Sequence, residues 1–290
     1  MLEAYAFLAA FTVQILEISV LGPARFIRYV RVQATRLPVA QLFPGVDHDR
    51  ILERYLTRFR VLQTVIAVLG LLLLGWLFNY MRRPEWDADK VGTLAFWYFM
   101  VQMLPGLLVA WFAVRFNKAL RRLLPVGIRK ATLQRRGLFD FVSPFTVLLA
   151  VVSYFLFVAV VMYAEQHPFP GFGGVLPNIG IMTLGYAGIA FGVYWSLYGR
   201  KSGPLETHAD RLHSIGLGVR VGIYTCILVG VSMSLLLARQ VLGLDRWEPF
   251  STSAYCVALA LISSAVLTVP PHRPEAGGSG SDRRLLEREI

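Results

Sequence analysis

An all-α, polytopic transmembrane helical bundle is the fold class this sequence predicts, and three observations predict it. Of 290 residues, 56% are hydrophobic and only 16% are charged, against roughly 25% charged in an average soluble domain. The charges are also segregated: from Phe141 to Ala164 the chain runs 24 residues without one Asp, Glu, Lys or Arg. A bilayer core about 30 Å thick needs about 20 apolar residues at 1.5 Å each, so that stretch suffices alone. The basic residues gather in alternate segments between apolar ones, as the positive-inside rule requires.

Seven segments qualify as spans: Leu2 to Gly22, Val61 to Met81, Leu94 to Val114, Phe141 to Ala164, Asn178 to Tyr198, Val221 to Ala238 and Ser251 to Val269. Six remains possible, because Glu17 interrupts the first. The start, Met1-Leu2-Glu3, lacks the basic region of a signal peptide, so the first apolar segment is expected to stay in the protein. Of the 29 basic residues, 24 fall in Pro23 to Arg60, Arg115 to Asp140, Gly199 to Arg220 and the tail after Val269. That alternation predicts the amino terminus outside and the carboxyl terminus inside. Residues 1–269 then form one transmembrane domain. Residues 270–290, rich in Pro, Gly and Ser and then charged, read as a disordered cytoplasmic tail.

The inner segments carry amphipathic patterns. From Asp49 to Arg60, Ile51, Tyr55 and Phe59 recur at spacing four beside Arg50, Arg54 and Arg58. This predicts a helix that runs straight into the second span and meets anionic lipid headgroups. On the opposite side, QHPFPGFGGVLP at 166–177 excludes a regular helix through its Pro and Gly content and predicts a loop against the membrane interface.

The net charge of +11 is accounted for by topology, so no nucleic-acid partner is expected. Only four basic residues are Lys, which hints at a GC-rich bacterial genome and hence a bacterial inner membrane. Cys226 and Cys256 lie inside apolar segments and read as reduced core residues.

Three constellations stand out. Small residues recur every fourth position at Gly218, Gly222, Cys226, Gly230, Ser234 and Ala238, and again at Gly188, Gly192 and Ser196. Such stripes let helix backbones approach closely in lipid, either within the monomer or against a partner. Glu17 is the one ionisable residue well inside a span, with Gln14 on the same face. A charge there is costly and a functional suspect; Arg60, Gln63 or Arg220 is the expected partner. It serves either as a structural clamp or as a proton or cation site. Finally, Glu206, His208, Asp210 and His213 cluster, but no zinc spacing fits cleanly, so a solvated helix start competes with a metal site.

Phosphate loops, G-x-S-x-G and H-E-x-x-H are absent, and the seventh span has no Lys for a Schiff base. No cofactor is expected. The leading expectation is a non-catalytic component that binds a membrane partner or a second copy of itself, or that regulates or assembles one. The alternative is a small-solute or ion transporter using Glu17, and the remote alternative an inner-face lipid-acting enzyme using the His208 cluster.

Overall fold

A computed structural model describes residues 2–34, 48–123, 137–169, 172–199 and 208–268. Among them the regular structure is helical, without strands. The first rod is composite: α1 (Leu2–Leu16) passes through a π-helical turn (Glu17–Leu21) into α2 (Gly22–Ala34). Then follow α3 (His48–Tyr80), α4 (Ala88–Leu123), α5 (Pro144–Gln166), α6 (Val175–Tyr198), α7 (His208–Val241) and α8 (Glu248–Thr268). Six of these seven rods, α8 excepted, are long and apolar enough to cross a membrane. The seventh expected segment is helical too, as α8. Its 21 residues extend about 31 Å, and α1, α4 and α7 all pack on it.

Helix ends differ from expectation at informative places. The first helix does not stop at Pro23. Pro lacks an N–H and its ring crowds the preceding turn, but the turn ahead of it is widened: the Gly22 N–H reaches back to the Glu17 carbonyl, a π-type bond. Helix therefore resumes and runs to Ala34. The third span continues past Val114 to Leu123, carrying Pro105 within it. As expected, Asp49 to Arg60 is continuous with the second span. Residues 35–47 and 124–136, and the tail after Thr268, lie outside the described residues.

Local chemistry starts α5 and α6. Ser143 caps α5 by accepting the Thr146 N–H at 3.2 Å, with Pro144 in the first helical position, where its missing N–H costs nothing. The loop before α6 turns through Gly173 and Gly174 at φ 69° and 89°, a region that only Gly adopts freely. Asn178 Nδ2 then donates to the carbonyls of Phe172 and Gly174 at 2.7 and 2.8 Å. This starts α6 three residues earlier than expected. Phe172 tucks into the bundle beside Phe157, Val161 and Leu237, where a loop lying on the interface was expected.

Packing fixes which helix ends lie together. Phe7, Met81, Val91 and Phe250 share one cluster, so the start of α1, the end of α3 and the starts of α4 and α8 meet. Ala164, Val175 and Val241 meet in another, and Val142, Leu197 and Ile215 in a third. Successive rods thus run up and down. The helices form two groups, α5–α6–α7 and α1–α3–α4–α8, joined where α7 packs on α8.

Candidate functional site

The buried polar residues of the second group gather on a seam between α1, α3, α4 and α8. Gln14 of α1 donates from Nε2 to Gln102 Oε1 of α4 at 3.1 Å. Gln102 Nε2 donates to Ser19 Oγ, in the π turn, at 2.9 Å. One turn of α4 away, Tyr98 Oη donates to the Ile66 carbonyl of α3 at 2.8 Å. This seat exists because position 70 is Gly: a Cβ there would lie 2.0 Å from Tyr98 Oη. Gln14, Gln63 and Gln102 are all buried, and the Oε1 atoms of Gln14 and Gln63 have no hydrogen-bond partner among the described residues.

Glu17 is buried in the π turn, and its partner is Arg25, not Arg60, Gln63 or Arg220. Arg25 Nη1 binds Glu17 Oε1 and Nη2 lies 3.4 Å from Oε2, while Nη1 also reaches Ser264 Oγ of α8 at 3.3 Å. The pairing follows from the helix geometry. In a regular α-helix, residues eight apart are turned about 80° from one another. One residue inserted by a π turn makes eight residues close to two full turns, so Arg25 stacks above Glu17. Helical side chains also lean toward the amino terminus, which is the direction Arg25 must reach. With both carboxylate oxygens engaged, Glu17 is held as an ion pair. The seam otherwise offers amides and hydroxyls, which can orient a polar guest.

The other expected partners are elsewhere. Arg220 Nε donates to the Phe141 carbonyl ahead of α5 at 3.1 Å. Arg60 is exposed and acts electrostatically on Glu53, whose carboxylate is bound bidentately by Arg31 of α2 at 2.9 Å. Glu206 and the side chains of His208 and Asp210 lie outside the described residues, and His213 is half-buried. Among the described residues no group of three or more His, Cys, Asp or Glu side chains could hold a metal.

The small-residue positions divide into two kinds. On α7 they face neighbours: a Cβ at Gly218 would stand 3.2 Å from Ser196 Oγ, at Gly222 2.6 Å from Val193 Cγ2, and at Gly230 2.4 Å from Tyr186 Oη. Ser234 is buried and donates back to the Gly230 carbonyl. On α6, Gly188 and Gly192 have nothing within 4 Å; they face away from the bundle.

A second charged site escaped the sequence reading, which placed its members in outer loops. Arg239, at the end of α7 and only 6% exposed, pairs with Glu248 at the start of α8 at 2.9 Å. Its Nε and Nη1 have no hydrogen-bond partner among the described residues. The Glu248 side chain lies over α4, where a Cβ at Gly92 would come within 3.0 Å of its Cγ. The Glu248 carboxyl is also within electrostatic reach of Asp89 and Asp245. The available signal was an Arg at a span end followed nine residues later by Glu across the Gly243 turn, where φ is 67°.

Comparison of the chain with protein-family models, with curated proteins and with solved structures gave no match.

Proposed function

We propose that this protein is a non-catalytic membrane component that docks another transmembrane helix, from a second copy or from a different membrane protein, along the outer face of α6. The carrying observation is how little of α6 the bundle covers. Only 6% of its span is buried, against 22–44% for the other five crossing helices. Its inward row, Ile179, Met182, Tyr186, Ile189, Val193 and Leu197, packs on α5 and α7. The opposite face presents Gly185, Gly188 and Gly192 with open space above them, flanked by exposed Ile181, Leu184, Phe191 and Trp195. Bare backbone between large apolar side chains is the surface that lets a second helix approach closely in lipid.

In this reading the protein sits in a bacterial cytoplasmic membrane, amino terminus outside, carboxyl terminus inside, with its basic helix ends among anionic headgroups. A photocrosslinking residue at Gly188 in native membranes tests it, with one at Leu148 on the exposed face of α5 as control. A discrete crosslinked protein species from Gly188 and none from Leu148 supports docking. Crosslinks to lipid alone at both positions overturn it.

One observation favours a second reading, a small-solute or ion transporter. Among the described residues, Gln14 Oε1 and Gln63 Oε1 are buried acceptors without donors, and each unmet group in hydrocarbon is costly. Uptake into sealed vesicles that is lost in Gln14→Leu and in Gln63→Leu would favour transport over docking.

A further inference from the structure

The surface of α3 carries a charge pattern that docking along α6 does not use. Arg50, Arg54 and Arg58 lie one above another, and the same stripe continues through Leu62, Val65, Leu69 and Leu72 to Trp76. Every one of these residues is exposed. Arg54 and Arg58 make no ion pair among the described residues, and Glu53, which lines the same surface groove, is paired with Arg31.

The depth of the charges matters. The helix has 33 residues, about 50 Å, so its first turns project beyond a hydrocarbon core about 30 Å thick. Successive arginines then stand at successive heights above the membrane, about 6 Å apart. An ordinary phospholipid bears its phosphate in one plane at the boundary, level with Arg58. A headgroup with two phosphates stacked outward engages Arg58 and Arg54 together, and Arg forks bind phosphate oxygens bidentately. Below, the exposed apolar stripe from Leu62 to Trp76 is about 21 Å long. The α1–α3 groove, lined by Leu8, Thr12, Leu71, Gly75 and Phe78, lies on a different flank of α3 and is not part of the stripe.

We propose that the outer face of α3 is a binding site for a long-chain lipid diphosphate, whose phosphates lie on Arg54 and Arg58 and whose chain lies along the apolar stripe from Leu62 to Trp76. The site needs α3 to cross the membrane but does not depend on docking at α6.

The test uses the full chain in nanodiscs of phosphatidylcholine. Binding is measured by native mass spectrometry with a polyprenyl diphosphate, the matching monophosphate, phosphatidylglycerol and inorganic diphosphate. The expected order places the lipid diphosphate about tenfold or more above each of the others, the difference one additional charge-assisted contact makes. In Arg54→Gln/Arg58→Gln the lipid diphosphate falls to the level of the monophosphate, while Arg82→Gln, at the opposite end of α3, leaves it unchanged. Thermal unfolding of the double variant matching the parent shows that the loss is local. Equal binding of monophosphate or phosphatidylglycerol, equal binding of inorganic diphosphate, or full binding by the double variant overturns the proposal.

Discussion

Glu17 shows how one backbone irregularity changes the meaning of a side chain. A buried carboxylate needs a hydrogen-bonding partner; Arg25 supplies it, and the π turn is what brings Arg25 over it. Arg25→Leu is expected to destabilise the fold by roughly 2–3 kcal/mol, less than for a wholly buried pair because Arg25 is 36% exposed. Glu17→Gln costs less, since the amide still accepts from Arg25. Thermal unfolding in detergent ranks the two; equal stability of Arg25→Leu and parent would remove the clamp from the account. Glu17 itself stands out from composition alone, as the acid inside an apolar run. Its partner does not, because Pro23 reads as a helix end and puts Arg25 in a loop, and a π turn leaves no mark in hydrophobic periodicity.

At the scale of elements, α6 and α7 have similar glycine spacing and different surroundings. Spacing every fourth residue places small side chains on one stripe, and this much is plain in the sequence. Which stripe meets a neighbour is decided by the partner helix, which lies far away in the chain. Tyr186 Oη, for example, donates to the Cys226 carbonyl at 2.7 Å and occupies the space above Gly230. Gly222→Leu and Gly230→Leu are therefore expected to lower stability by about 1–3 kcal/mol or more through overpacking. Gly188→Leu and Gly192→Leu should stay within about 0.5 kcal/mol of the parent in detergent, as for open surface positions, and should lose only the partner. Thermal unfolding beside crosslinking yield separates the two sets. Destabilisation of both alike would mean that α6 packs within the fold on its glycine side. Element boundaries were least legible where side chains, not hydrophobicity, set them: Ser143 and Asn178 act through single hydrogen bonds, whereas the continuous run from His48 to Tyr80 follows from its own pattern.

For the whole molecule, the apolar runs make the helical bundle legible, because each run needs burial or lipid over its full length. The grouping of α8 with α1 and α4, across most of the chain, has no counterpart in local sequence. The packing places the ends of successive rods at alternate ends of the bundle, and the basic segments join rods at one of those ends. The central claim is that this bundle crosses a membrane, with that basic end in the cytoplasm. Cysteine labelling in intact cells with a membrane-impermeant maleimide tests it most directly. The buried Cys226 and Cys256 are first replaced by Ser, and single cysteines are placed at Glu85, Gln166, Thr132 and Ser281. The account predicts labelling of Glu85→Cys and Gln166→Cys in intact cells, and of Thr132→Cys and Ser281→Cys only after permeabilisation. Labelling of Ser281→Cys together with Gln166→Cys in intact cells would contradict it, because an even number of crossings would then separate them where α6, α7 and α8 supply three.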